Sequence, residues 1–336
     1  MFNNLIIKVM KKIFILAAVT ATALTACTKT ETTAVSEGNL IKFDNAFVGN
    51  VTKADLSNTA LKTFWVFGEY DNSGTAVDVY VNTSVTGGTA DGSSTWTPSL
   101  EAFWIEGKNY DFAAYSNGNT IISNNVTFEN DVLTFTDYTV GEHDLIAATA
   151  EATGPTAGSD QAVSLSFEHL LSKVKFTFKT NMADTYTMKV EDLVIGNAVK
   201  TATVSFSGNE ISTDWNGTAD ATYEFADIAD FAVADGGTSE LYVIPQNNTG
   251  LVASFKVTVT DNSGVDLGSK TFSDVSVAYS GSKNSSVADE WTEGFAYNYT
   301  ATIDLDDISD KAKPITFTVT EVPGWTDADD TTLNIE

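Results

Sequence analysis

Apolar and polar residues alternate along most of the chain, and this period of two is typical of a half-buried β-strand. The clearest runs are VDVYV at 77–81, VSLSF at 163–167, VKFTF at 174–178, FKVTV at 255–259 and ITFTV at 315–319. Turn signals such as DNSG at 71–74 and at 261–264 lie between the runs. No long amphipathic helix can be written. The pattern predicts mostly antiparallel β-sandwiches, whose strands bury one face against a second sheet.

A segment rich in small residues, AEATGPTAGSD at 150–160, interrupts the alternation. Its glycines and proline favour a loop, and we place a domain boundary there. The sequence therefore predicts an all-β protein with two tandem antiparallel β-sandwich domains, at residues 54–157 and 158–336, the second of which includes a tail.

The first 26 residues have the pattern of an export signal. Lysines at 8, 11 and 12 precede an apolar run at 13–24, which is too short to span a bilayer as a stable helix. LTAC at 24–27 fits a bacterial lipobox, in which the signal is cut before Cys27 and the cysteine is acylated. The alternative is an ordinary secretory peptide that contains a cysteine. A lipidated Cys27 would leave no thiol for a disulfide, so the hydrophobic core has to hold the fold.

The charge is strongly one-sided. The formal net charge is −27, and all 18 residues counted as Lys or Arg are lysine. Such a surface repels phosphate backbones, which excludes nucleic acid as a partner.

Several short motifs together resemble the fimbrillin family, the subunits of lipoprotein-derived (type V) pili of Gram-negative anaerobes. They are DLIAA at 144–148, SFEHLLSKVKF at 166–176, YVIPQ at 242–246, WTEGFAYNY at 291–299 and VPGW at 322–325. The resemblance implies transthyretin-like sandwiches, a fimbrium at the cell outer membrane, a palmitate-type lipid anchor and a role in cell adhesion.

The resemblance also implies a mechanism of assembly. A trypsin-like protease removes the lipidated N-terminal segment with the first β-strand, and a strand from a neighbouring subunit fills the groove that remains. In this chain residues 27–53 would be that segment. Ile41, Phe43 and Phe47 would occupy one face of the removable strand, and Lys53 would be the cleavage site. Family members often carry arginine there, so the protease has to accept lysine.

The donor strand has one main candidate, in which Ile315, Phe317 and Val319 alternate with polar residues. The alternative is that this run is simply the last strand of the C-terminal sandwich. A weak donor would suit a tip or accessory subunit.

Catalytic patterns are absent from the sequence. It contains no G-x-S-x-G, H-E-x-x-H or P-loop motif, and its acidic clusters lack calcium-loop spacing, so we predict no enzyme activity, no cofactor and no metal. A secreted hydrolase would need convergent acids in a cleft. Trp96 and Trp215 lie among polar turn residues and are the candidates for an exposed ligand surface.

We therefore predict a pilus subunit or tip adhesin that is exported as a lipoprotein, cleaved after Lys53 and polymerised by strand exchange. Its partners would be other pilus subunits, the outer-membrane lipid, the protease and a host or glycan ligand. The alternative is a permanently anchored surface lipoprotein that binds glycans through exposed aromatic residues.

Overall fold

Regular structure in this chain is almost entirely β-strand. The computed structural model describes residues 39–48, 60–87, 96–182, 186–208, 210–211, 215–231, 236–279, 289–309 and 315–323. Within these ranges it contains 21 strands and one helix of five residues. The all-β fold predicted from the alternation is confirmed.

The elements follow one another in chain order. The first nine strands are β1 (Lys42–Val48), β2 (Thr63–Asp71), β3 (Ala76–Gly87), β4 (Trp96–Pro98), β5 (Asn109–Asn117), β6 (Val126–Glu129), β7 (Val132–Thr139), β8 (Leu145–Thr153) and β9 (Ala162–His169). The remaining elements are β10 (Ser172–Thr180), β11 (Tyr186–Ser207), β12 (Glu210–Ile211), β13 (Asn216–Glu224), β14 (Ile228–Phe231), β15 (Gly237–Val243), β16 (Gln246–Asn247), β17 (Val252–Asp261), β18 (Asp266–Ser276), β19 (Glu290–Trp291), β20 (Phe295–Ile303), α1 (Leu305–Ser309) and β21 (Thr318–Pro323).

Seven strands form a sheet that closes on itself, in the order β1, β4, β3, β2, β5, β8, β9. Neighbouring strands are antiparallel except β1 and β9, which run parallel and close the ring. β9 shows the predicted alternation, since Val163, Leu165 and Phe167 are buried while Ser164 and Ser166 are exposed. Each of the seven strands contributes buried residues to one hydrophobic core, while the opposite faces of β2, β5 and β8 contribute to a second core. Closure removes the free edges that an open sheet would leave.

Two further sheets face each other across a second core. One has the order β15, β10, β20, β21, and the other has the order β18, β17, β11, β7, β6 with β12, β13 and β14 also paired to β11. Aromatic side chains join the two sheets, and the ring centroids of Phe178 on β10 and Phe255 on β17 are 5.0 Å apart. This arrangement is a β-sandwich.

The predicted boundary at residues 157 and 158 does not coincide with a change of sheet. It falls between β8 and β9, which pair with each other in the closed sheet. Conversely, β6 and β7 precede the boundary but extend the large sheet of the sandwich through β11. The small-residue segment is therefore a connection within the closed sheet, because long-range pairing and not local composition decides which sheet a strand joins.

Candidate strand-exchange site

The segment at 39–48 closes the seven-stranded sheet. β1 lies between β9, with which it pairs from Lys42 to Val48, and β4, with which it pairs at Phe43 and Trp96. Just before β1, the Ile41 amide donates to the Ala102 carbonyl at 2.8 Å, and the Trp104 amide donates to the Asn39 carbonyl at 2.9 Å. The backbone of this segment is thus bonded on both sides.

The inner face of the segment is part of the closed-sheet core. Ile41, Phe43 and Ala46 expose only 2%, 1% and 1% of their surface. The ring of Phe43 has its centroid 5.9 Å from the rings of Phe64, Tyr80 and Phe112. Burial of such side chains is worth about 1.5–3 kcal/mol each, and aromatic pairs add about 0.5–1.5 kcal/mol.

At Lys42 and Asp44 the outer face of β1 is polar and partly exposed to solvent. Lys42 Nζ lies 2.9 Å from Asp160 Oδ1, and the Ser164 hydroxyl donates to Asp44 Oδ1 at 2.8 Å. Exposed contacts of this kind contribute little to stability. The segment is therefore held chiefly by its buried side chains and its backbone pairing.

A β-bulge interrupts the alternation within β1. Asp44 pairs with Ser164 but Phe47 pairs with Ser166, so β1 has one more residue than β9 between these two pairs. The buried position after Phe43 is consequently Ala46. A bulge changes which face the residues after it occupy. The prediction that Phe47 shares a face with Ile41 and Phe43 lies outside the described side chains and stays a prediction.

The candidate donor run lies at the edge of the four-stranded sheet. β21 pairs with β20, with Val319 opposite Tyr299, and has no second neighbour among the described strands. Ile315, Phe317 and Val319 are half-buried against the sandwich core. The ring of Phe317 lies 5.0 Å from that of Phe176. In this structure the run is thus the last strand of its own sandwich, which is the alternative that the sequence leaves open.

The lipidation and cleavage predictions lie outside the described residues. Cys27 and Lys53 both fall in ranges that the structure does not describe. They stay predictions. No helix among the described residues is long and apolar enough to cross a bilayer.

The structure separates the two candidate tryptophans. Trp96 is only 1% exposed and packs against Phe64 with a centroid distance of 5.1 Å, so the prediction that it lies on an exposed surface is wrong. Its polar neighbours gave no sign of the pairing with β1 that covers it. Trp215 is half-buried, contacts Tyr138 at 5.9 Å, and precedes Asn216, which lines a polar cavity of about 360 Å³.

Three carboxylates, from the closed sheet and from the sandwich, line a second cavity that the sequence did not predict. Asp111 on β5, Glu151 on β8 and Asp131 in the turn between β6 and β7 line about 260 Å³. Partial burial, followed by the negative charge of Asp131, raises the pKa of Asp111 to about 6. Acids are so abundant in the chain that no sequence signal singles out these three. Among the residues that the structure describes, no group of three or more His, Cys, Asp or Glu is arranged to hold a metal ion.

His169 and Asp144 form a buried pair beside the start of the sandwich. His169 Nδ1 lies 2.5 Å from Asp144 Oδ2, and both residues are buried. His169 ends β9, and the amide of the next residue, Leu170, donates to the Leu145 carbonyl at 2.9 Å. The pair is thus placed to fix the ends of β8 and β9.

Known proteins share this architecture. A family model described as fimbrillin-like matches residues 51–325. No curated protein matches the chain.

Solved structures of low sequence identity have a similar fold. A fimbrial protein from Bacteroides vulgatus is 18% identical, with a TM-score of 0.55 over 86% of this chain and 100% of that one. Two proteins described as "putative cell adhesion protein", from Bacteroides uniformis and Bacteroides ovatus, are each 18% identical, with TM-scores of 0.51 and 0.50 over 86% of this chain and 98% of theirs. At these identities the likeness concerns the fold.

Proposed function

This chain belongs to the fimbrillin-like family, and we propose that it is a structural subunit or tip adhesin of a cell-surface fimbria that polymerises by β-strand exchange. In this proposal the chain reaches the outer membrane as a lipoprotein acylated on Cys27. A protease then cuts after Lys53, and the segment that carries both the lipid and β1 leaves.

The seating of β1 is the observation that supports this proposal. Ile41, Phe43 and Ala46 belong to the closed-sheet core, yet they come from a segment that one cut between β1 and β2 would detach. Its departure would leave three apolar sites of the core unfilled. Burial of each of the two large side chains, Ile41 and Phe43, stabilises the fold by about 1.5–3 kcal/mol. It would also leave unpaired backbone groups along β4 and β9, which form a template for another strand.

Lys53 lies between β1 and β2 in the sequence, where a cut would leave all other strands of the closed sheet on one chain. The chain contains no arginine, so the processing enzyme has to accept lysine. A trypsin-like protease that accepts both residues meets this requirement.

The donor strand would come from another subunit. We propose the segment that carries Ile315, Phe317 and Val319, which leads into β21, an edge strand of its own sheet. Strand addition of this kind joins subunits through backbone hydrogen bonds and buried side chains.

An adhesive role is consistent with the relatives. One structural neighbour is described as a fimbrial protein and two as putative cell adhesion proteins. If the subunit binds a host glycan, the half-buried Trp215 beside its polar cavity is the better of the two aromatic candidates.

Limited proteolysis tests the proposal. The purified precursor is incubated with trypsin, the new N-terminus is determined, and polymers are sought on native gels and by electron microscopy. We expect a product that begins at Ala54 and forms polymers. Lys53→Ala should block both results. Lys62→Ala is the matched control, since it removes an exposed lysine just before β2 and should change neither.

Material from the cell surface provides the decisive counter-test. If native surface protein still begins at Cys27, the shaft-subunit proposal fails and the permanently anchored lipoprotein is favoured.

A further inference from the structure

Two lysines lie in the sequence between β1 and β2. Lys53 is the cleavage site proposed above, and Lys62 directly precedes β2. The side chain of Lys62 is exposed, so a protease that recognises lysine can reach it. Hydrolysis there would add water across the Lys62–Thr63 bond and leave a carboxylate on Lys62 and an amine on Thr63. The structure shows why this second bond resists cleavage.

The peptide bond after Lys62 is hydrogen-bonded at both of its polar atoms. Its N–H, on Thr63, donates to Asn119 Oδ1 at 2.9 Å. Its carbonyl, on Lys62, accepts from the Gly87 amide at 3.4 Å. A trypsin-like protease has to bind the scissile carbonyl in its oxyanion hole, which it can do only when that carbonyl is free. The bond is therefore cleaved only when this segment opens locally.

The side chain of Asn119 holds three backbone groups of the segment. Its Oδ1 accepts from the amides of Lys62 at 2.6 Å and of Thr63 at 2.9 Å, and its Nδ2 donates to the Ala60 carbonyl at 3.1 Å. On this side of β2, pairing with β5 begins only at Trp65. The Asn119 amide thus replaces a neighbouring strand at the point where β5 has ended.

Asn119 is itself fixed in place. Its amide donates to Ser116 Oγ at 3.2 Å, and this buried hydroxyl donates to the Thr63 carbonyl at 2.7 Å. The preceding residue, Gly118, donates its amide to the Asp144 carbonyl at 3.0 Å. The φ angle of Asn119 is 62°, in the left-handed region that asparagine adopts more readily than most residues. The position therefore suits an asparagine for both its backbone and its side chain.

Leu61 shows what a cut after Lys62 would remove. Its side chain is 0% exposed and belongs to the closed-sheet core. A cut after Lys53 leaves Leu61 joined to β2, whereas a cut after Lys62 detaches it together with β1. Protection of the Lys62–Thr63 bond thus keeps this part of the core in the processed chain.

We propose that Asn119 is a positioning residue that protects the Lys62–Thr63 bond from a lysine-cutting protease and so limits processing to sites before Ala60. Its role in maturation rests on the cleavage after Lys53 proposed above. The protection of Lys62 itself does not, and it can be measured separately.

Trypsin digestion of the full chain in a Lys53→Ala background measures this protection while β1 stays joined to β2. The rate at which an N-terminus appears at Thr63 is followed by N-terminal sequencing and mass spectrometry. Asn119→Gly removes the side-chain amide and tolerates the positive φ angle. We expect it to speed this cleavage at least about tenfold, because three hydrogen bonds that oppose local opening are lost.

Two further variants separate the side-chain contacts from a general effect. Asn119→Asp keeps an oxygen that can accept from both amides, so it should restore most of the protection. Asn130→Gly is the matched control, since Asn130 has a φ angle of 52° in the exposed turn between β6 and β7. It should leave the cleavage rate at Lys62 unchanged.

Cleavage after Lys108 reports general loosening of the closed sheet. The carbonyl of Lys108 accepts from the Gly154 amide at 2.7 Å, so this bond is also protected but has no contact with Asn119. The proposal is overturned if Asn119→Gly leaves the rate at Lys62 unchanged, or raises the rates at Lys62 and Lys108 equally. If Lys62 stays protected in the parental chain but Lys53 is not cut, the proposed function fails while the protection by Asn119 stands.

Discussion

β1 and β21 hold different positions in their sheets. Phe43 on β1 is almost fully buried among three aromatic rings, whereas Phe317, just before β21, is half-buried at the edge of a sheet. β1 has strands on both sides and β21 has one. The strand that the proposed cleavage would remove is thus the more deeply buried of the two.

We expect the number of neighbouring strands and the depth of burial to decide how firmly each strand is held. In a closed sheet each strand has two hydrogen-bonded neighbours. In an open sheet an edge strand has one neighbour, and the backbone N–H and C=O groups on its other side are unpaired. In the proposed assembly the closed sheet loses β1, which fills part of its core and pairs with two neighbouring strands. The unpaired backbone and the exposed core would then favour binding of a replacement strand.

Truncation of the two phenylalanines should separate the two strands most clearly. In the uncleaved chain, Phe43→Ala is expected to cost about 3–5 kcal/mol, because it empties a buried site. Phe317→Ala should cost roughly half as much, since its ring is already partly in solvent. Urea unfolding of both variants at one protein concentration measures the difference. Equal losses would mean that β21 is held as firmly as β1.

Enlarging the small position of β1 should have the next largest effect. Ala46→Leu forces extra volume into a buried site and is expected to cost about 1–3 kcal/mol. Thr320→Leu, at a half-buried position of the edge strand β21, should change the free energy of unfolding by less than about 0.5 kcal/mol. Both are measured by urea unfolding. If Ala46→Leu left the free energy of unfolding unchanged, the core beside Ala46 would have room for a larger side chain.

The stability of the closed sheet should also respond to pH without any change in β1. Burial, and then the negative charge of Asp131, raises the pKa of Asp111 from its usual range to about 6. The folded protein thus holds this proton more tightly than the unfolded chain, and stability falls as the pH rises from about 4 to about 6. Asp111→Asn should remove that slope and stabilise the protein at neutral pH by less than about 1 kcal/mol, because solvent screens the site.

Unfolding midpoints between pH 4 and pH 7.5 measure this effect. Asp220→Asn, on an exposed part of β13, is the control and should keep the parental slope. An unchanged slope in Asp111→Asn would assign the pH dependence to other carboxylates, of which Glu69 and Glu168 also have raised pKa values, chiefly through burial.

Local periodicity predicted the strands well and their partners poorly. The runs that contain Val163, Phe178 and Phe255 all form strands with the expected buried faces. The sheet that each strand joins depends on residues far away in the sequence, so β9 was assigned to the wrong side of the boundary. Neither the bulge at Ala46 nor the burial of Trp96 has a local signal, because both arise from the pairing of β1 with β4 and β9.

The sequence predicted which segment forms the candidate site but not how that segment pairs with its neighbouring strands. Ile41 and Phe43 were found by alternation and are buried, as a seated strand requires. The burial of Ala46 depends on the bulge in the pairing of β1 with β9, which the local sequence does not predict. Cys27 and Lys53 rest on motif and resemblance alone.

The smallest expected effect concerns the outer face of β1. Lys42 and Asp160 form an ion pair at 2.9 Å, but their side chains are 43% and 84% exposed. If β1 is held by its buried face, Lys42→Ala should change the free energy of unfolding by no more than about 0.5 kcal/mol. A double-mutant cycle with Asp160→Ala isolates the pair, and raising the salt concentration should reduce the coupling further. A coupling well above 1 kcal/mol would mean that the outer face of β1 also contributes to holding it in the closed sheet.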